Sequence, residues 1–171
     1  MPAQELAVFG TIAAGVAAWA VAEARGSRTW WTLAALLTLI HSIVAFFVFY
    51  DGSHARAQAE TMKQTAALTG VNFSGGIYVN YGFLATWLGD AAWWTVSPIS
   101  YHSRPAWLSH LIHGFIFFII VNGAVIFADG WAQVLGVTAV GVAIIGMWRR
   151  DAPPARMPRA LSDHVSGGPA K

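Results

Sequence analysis

The chain has 171 residues, of which 56% are hydrophobic and 11% are charged, whereas roughly 25% of the residues are charged in a typical soluble domain. This composition excludes an ordinary water-soluble globule and also a disordered chain. The sequence contains no cysteine, which excludes disulfides, thiolate zinc sites, iron–sulfur clusters and thiol nucleophiles. The net charge is only +2 and forms no basic stripe, so we expect no nucleic-acid partner.

Long apolar windows follow one another along the first 150 residues. A helix needs about 20 mostly apolar residues to cross a hydrocarbon core of ~30 Å. The sequence therefore predicts an all-α integral membrane protein, with residues 1–150 forming a bundle of five transmembrane helices in the lipid bilayer. The predicted spans cover approximately residues 5–24, 30–50, 76–97, 106–128 and 130–148.

The positions of the basic residues predict how the bundle is oriented. Cytoplasmic loops of membrane proteins are enriched in Lys and Arg. One side of the predicted bundle carries only Arg56 and Lys63, and the other side carries the remaining eight. We therefore expect the N-terminus outside and the C-terminus in the cytoplasm. The eight residues on the predicted cytoplasmic side are Arg25, Arg28, Arg104, Arg149, Arg150, Arg156, Arg159 and Lys171.

Residues 51–75 form the one long connection, which this orientation places outside. Asp51 and Gly52 end the second span, and His54 follows as a further polar residue on this side. We expect a solvated loop with one or two helical turns here. The alternative is a short helix that is N-capped by Ser53, ends near Gly70 and lies on the membrane surface. After the last span, residues 151–171 form a Pro-rich cytoplasmic tail that we expect to be disordered on its own.

Small residues recur on the first and last spans. Gly10, Ala14 and Ala18 are spaced four residues apart on the first span, and such residues let helices approach closely in lipid. Gly136, Gly141 and Gly146 are spaced five apart on the last span. Both patterns fit packing inside the bundle as well as docking onto another membrane protein.

Asp90, His41 and His113 are ionisable residues that lie well inside the predicted spans, away from their ends. A charge near the bilayer centre costs about 2.5–3.5 kcal/mol on insertion scales, so Asp90 needs a partner. His41 and His113 are predicted to lie at a depth similar to that of Asp90. A His, Trp or hydroxyl partner for Asp90 would serve structure alone, and a proton relay is the alternative. Two histidines on different spans also suggest axial ligation of haem b or of a (bacterio)chlorophyll.

A second polar layer is predicted towards the outside. Asn80 and Asn122 lie near the outer ends of the third and fourth spans. With spacings of 3, 4 and 3 residues, Asn80, Phe83, Trp87 and Asp90 share one helix face, which we expect to point into the bundle. The asparagines either hydrogen-bond across helices or line a cavity open to the outside. Together with Asp90, His41 and His113 they form the predicted intramembrane polar cluster.

No hydrolase elbow, metalloprotease motif or phosphate loop occurs in the sequence, so we expect neither catalysis nor a dedicated metal site. The segments "GIYVNYGF", "WLGDAAWW" and "HGFIFF", within residues 41–122, resemble multi-pass bacterial membrane proteins with no assigned function. This resemblance covers about half the chain and implies a bacterial inner (cytoplasmic) membrane, without implying an activity, a cofactor or a site.

Three functions fit these observations. The first is a structural or accessory subunit, bound to other membrane-protein subunits of a larger complex of redox, photosynthetic or respiratory type. The second is a haem-binding, pigment-binding or proton-handling protein that uses His41, Asp90 and His113. The third is a small transporter with Asn80, Asn122 and Asp90 along one water path.

Overall fold

The structure is a computed structural model that describes residues 2–151. Every regular element in this range is helical, which confirms the all-α part of the predicted fold class for the described residues. The predicted tail, residues 151–171, lies outside the described residues except for Asp151. The elements in chain order are α1 (Ala3–Arg25), α2 (Arg28–Tyr50), α3 (His54–Thr69), α4 (Gly76–Val96), α5 (Pro98–His102), α6 (Ala106–Val121), a π-helical segment (Asn122–Ile126) and α7 (Gly130–Asp151).

Four segments of the described chain are long and apolar enough to cross a membrane, which is the signature of a multi-pass membrane protein. They are Ala3–Arg25, Arg28–Tyr50, Ala106–Ile126 and Gly130–Arg149. The third predicted span corresponds to α4, which has 21 residues but is not among these four. Tyr, Trp, Asn and Asp side chains lower the hydropathy of α4, so a fifth crossing stays a prediction.

The long connection contains a helix, α3, in place of a solvated loop. The Ser53 hydroxyl accepts the Arg56 backbone N–H at 3.4 Å and so caps its first turn. Gly70 ends the helix in the left-handed conformation, with φ at 72°. Both end signals were readable in the sequence.

The helices pack in a partly closed ring. α1 contacts α2 and α7, α2 contacts α4, and α4 contacts α6. The core between them is built around Trp19, Trp31, Trp87 and Ile116, each less than 2% exposed. At one end of the bundle, here called the Arg104 end, α1 and α4 finish and α2 and α6 begin.

Small residues make the closest helix contacts, but only some of the predicted ones do so. A Cβ at Gly146 would overlap the backbone of Ala24, so α7 and α1 are in close contact there. Gly10 and Ala14 of the predicted stripe are exposed, whereas Ala18 is buried. The stripe on α1 therefore lies mostly outside the interfaces of the described bundle.

Candidate functional site

The Asp90 carboxylate lies at the Arg104 end and is held by three side chains. Oδ2 accepts the indole N–H of Trp31 at 2.9 Å and the phenol O–H of Tyr101 at 3.1 Å. Oδ1 accepts a hydrogen bond from Nη1 of Arg104, which forms an ion pair with it. The Asp90 side chain is 0% exposed and that of Arg104 is 4% exposed. These four residues are called the Asp90 cluster below.

Arg104 uses its remaining donors within the same region. Nη2 donates to the Tyr101 hydroxyl at 3.0 Å, and Nε donates to Oγ of Ser109 at 2.7 Å. The guanidinium lies 3.9 Å from the centre of the Tyr101 ring, a cation–π contact. The other face of Arg104 approaches Trp93 at 5.7 Å. The hydrogen bonds from Nε, Nη1 and Nη2 hold α5 and the loop that follows it against the bundle.

The environment of Tyr101 favours its neutral form. Burial raises the pKa of the Tyr101 phenol above its ordinary value of 10.0, and the negative charge of Asp90 raises it further. The nearby Arg104 charge acts in the opposite direction and is outweighed. Tyr101 is therefore protonated at any physiological pH and can donate a hydrogen bond to Asp90.

A second polar pair, between His113 and Glu23, adjoins the Asp90 cluster. The Nδ1 atom of His113 lies 3.0 Å from Oε1 of Glu23, which is 5% exposed near the end of α1. The His113 ring stacks on Trp31 with 4.5 Å between ring centres. Since Trp31 donates to Asp90, contacts run continuously from α1 through α6 and α2 to α4 at this end.

His41 lies far from these groups, so the expectation of similar depth is wrong. Its Nδ1 atom is 3.0 Å from the carbonyl oxygen of Val8, near the start of α1. His113 pairs with Glu23, which is also on α1. Glu23 is 15 residues after Val8, so these two residues of α1 are about 22 Å apart along the helix axis. The two histidines therefore cannot ligate one haem from opposite sides. Ligation of a haem or pigment by one of them stays a prediction.

His41 borders a cavity of about 250 Å³ that extends from the middle of the bundle, at Val16 and Trp87, towards the end opposite Arg104. Asn80, on α4, also lines this cavity, as do Thr38 and Ser42 on α2. Phe83 and Trp87 line it from the face of α4 that carries Asn80 and Asp90. Phe83, Trp87 and Asp90 are buried, and Asn80 is exposed. The remaining lining residues are Ile12, Val16, Leu84, Ile119, Ile120, Gly123 and Ala124.

The other predicted polar residues have local partners. The side-chain amide of Asn122 donates to the carbonyl of Phe118 on its own helix at 2.7 Å. Asp51 forms an ion pair with Arg56, and His54 lies 3.0 Å from the hydroxyl of Tyr81. Within residues 2–151, the structure thus divides the predicted polar cluster among separate sites.

Sequence reasoning did not identify four residues of the Arg104 end as site residues. From the sequence, Trp31 was expected at the membrane interface and Arg104 was counted as a cytoplasmic charge. Glu23 and Tyr101 had no expected role in a site. One signal was available, because Arg104 lies in a short loop at the same end of the bundle as Asp90. Opposite charges at one depth predict a pair, although the choice of Trp31 and Tyr101 as further donors depends on the packing.

No protein-family model, curated protein or solved structure matches this chain. The predicted resemblance to bacterial multi-pass membrane proteins therefore stays a prediction.

Proposed function

We propose that α4 is a fifth membrane crossing, with the N-terminus outside and the C-terminus in the cytoplasm of a bacterium. Two contacts support this. α4 packs between α2 and α6, which are both apolar enough to span, and the charge that lowers its hydropathy, Asp90, is buried against Arg104. Pairing of this kind reduces the cost of an acidic residue at membrane depth.

Within that membrane, we propose that the protein is a non-catalytic structural or accessory subunit of a larger complex. The observation that carries this proposal is the closed state of the Asp90 cluster. Both carboxylate oxygens accept hydrogen bonds, and the donors come from α2, from α5 and from the loop that follows α5. A carboxylate with 0% side-chain exposure and three protein donors joins the elements around it and is not accessible to a substrate.

The exposed face of α1 is the surface that we assign to a partner subunit. Gly10 and Ala14 lie one helical turn apart and are both exposed. A Cβ added at Gly10 would meet no atom within 4 Å. Small side chains let the backbone of a second helix approach closely, which is the main source of helix association in lipid. The partner would accordingly be another transmembrane helix with small residues at the contact.

Site-specific photo-crosslinking tests this assignment in the full-length protein. A benzoylphenylalanine at position Ala14 should give one defined crosslink to another membrane protein in native membranes. The same group at Val142, an exposed position on α7, serves as the control and should give none. Replacement of Gly10 by Leu should abolish the Ala14 crosslink. If Ala14 crosslinks only to lipid, or if both positions give the same pattern, the subunit proposal fails.

Cofactor binding is the second candidate function, and the tautomer of His41 favours it. A carbonyl can only accept, so the contact with Val8 places the ring hydrogen on Nδ1 and leaves a lone pair on Nε2. Histidines that ligate haem or chlorophyll metals commonly have this arrangement. A Soret band in the purified protein that disappears in His41→Leu would support ligation, and its absence in the wild type would refute it. The transporter alternative has less support. It requires Asn80, Asn122 and Asp90 to line one water path, and among these three only Asn80 borders the cavity.

A further inference from the structure

Three polar side chains that line the cavity, those of Thr38, His41 and Ser42, can only accept hydrogen bonds from a ligand. The Thr38 hydroxyl donates to the carbonyl of Ala34 at 2.8 Å, and the Ser42 hydroxyl donates to the carbonyl of Thr38 at 2.9 Å. His41 uses its Nδ1 hydrogen on Val8. These three side chains therefore have their hydrogens engaged on the backbone, and each presents only lone pairs to the cavity.

The Nε2 atom of His41 is the strongest of these acceptors. Among residues 2–151, the hydrogen bond that His41 makes runs from Nδ1 to the Val8 carbonyl and leaves Nε2 to accept one from a ligand. Its ring is held in place by the Val8 carbonyl on α1, so the lone pair has a fixed direction. A group that donates a hydrogen bond would satisfy it.

The surroundings select a neutral donor over a cation. No acidic side chain lines the cavity, and an unpaired ammonium at this depth would be costly. A hydroxyl group donates without carrying charge, and its oxygen can also accept. Trp87, which borders the cavity, has a buried indole N–H that lacks a partner among residues 2–151.

The size and walls of the cavity select a small ring. Its volume of about 250 Å³ is below the roughly 300–1,000 Å³ of pockets that hold drug-sized ligands. Phe83, Trp87, Ile119 and Ile120 supply aromatic and aliphatic walls. A single hydroxylated ring would fill this space.

The backbone is irregular where the cavity meets α6. Gly123 and Ala124 line the cavity and belong to the π-helical segment Asn122–Ile126. π-Helical turns are frequent at functional sites. This irregularity is independent of the hydrogen-bond argument and marks the same location.

We propose that this cavity is a binding site for a neutral hydroxylated aromatic ring, with the ring O–H donating to Nε2 of His41. The site is separate from the Asp90 cluster and does not depend on the proposed subunit role. Such a ring occurs as the head group of a membrane-soluble hydroquinone and as a free phenol, and both present the same donor.

Calorimetric titration of the full-length protein in lipid nanodiscs tests the proposal, with empty nanodiscs as the blank. The probes are 4-hexylphenol and its methyl ether, which differ in the hydroxyl hydrogen that the site is expected to recognise. We expect the phenol to bind about tenfold more tightly, since one net hydrogen bond is worth roughly that factor. Unsubstituted phenol and a decyl-substituted hydroquinone then distinguish a soluble source from a lipid source.

Variants connect the binding to the site. His41→Leu should remove the preference for the phenol over its ether, while His110→Leu, the same change at an exposed histidine, should keep it. If His41→Leu does not fold, His41→Phe keeps a planar ring without a lone pair and should likewise remove the preference for the phenol over its ether. Equal binding of phenol and ether, no binding of any probe, or an unchanged preference in a folded His41→Leu protein would overturn the proposal. A Soret band assigned to His41 would also overturn it.

Discussion

The ion pair between Asp90 and Arg104 should be the most sensitive point of the fold. Replacement of Arg104 by Met keeps most of the side-chain length but removes the charge, and the Asp90 carboxylate, with a side-chain exposure of 0%, then has no cation beside it. Breaking a buried pair on one side typically costs about 3–5 kcal/mol. Because the hydrogen bonds to Tyr101 and Ser109 are lost as well, we expect the upper part of this range.

A double variant separates the loss of the charge pair from the loss of general packing. Asp90→Asn alone leaves the Arg104 charge buried and should also be strongly destabilising. In Asp90→Asn with Arg104→Met, no charge remains, and the Asn side-chain oxygen can still accept from Trp31 and Tyr101. The double variant should therefore lose clearly less stability than the sum of the two single variants.

The assay is unfolding of the full-length protein in detergent micelles by increasing fractions of dodecyl sulfate, followed by tryptophan fluorescence and far-UV circular dichroism. Arg56→Met is the matched control, because Arg56 pairs with Asp51 while both side chains are mostly exposed, and such pairs contribute about 0–1 kcal/mol. Two results would refute the reasoning. One is equal destabilisation by Arg104→Met and Arg56→Met, and the other is strict additivity in the double variant.

Three further predictions concern the α1–α7 contact, the ionisation of Tyr101 and the number of membrane crossings. Gly146→Ala should lower the free energy of unfolding by about 1–3 kcal/mol, because the added Cβ would overlap Ala24. Gly141→Ala is the control and should change it little, because a Cβ there meets no atom within 4 Å. Similar unfolding curves for both variants would contradict the close α1–α7 contact. The pKa of Tyr101 is raised in the folded protein, so above pH 10 the unfolded chain loses the phenol proton first. The stability advantage of the wild type over Tyr101→Phe should therefore be constant below pH 10 and fall above it, as measured by unfolding at several pH values. An advantage that grows above pH 10 would contradict a raised pKa. Reporter fusions at the two termini should report opposite sides of the membrane, and signals from the same side would show that the number of crossings is even and that α4 does not add a fifth.

The sequence alone determined the helices and most of their ends. Windows of about 20 apolar residues have few alternatives to a helix in lipid, because every backbone N–H and C=O must be satisfied within the segment. Helix ends depend on neighbouring residues, so Ser53 and Gly70 already marked the limits of α3. The need of Asp90 for a partner was predictable too, since an unpaired acid at that depth is costly.

The tertiary structure decided which partners meet. Trp31 and Asp90 are 59 residues apart, and Glu23 and His113 are 90 apart, so their contacts depend on how each helix is rotated and shifted against its neighbours. Hydropathy has no term for that rotation or shift. For the same reason the sequence placed His41 at the depth of His113, although the packing puts His41 beside Val8 and a cavity.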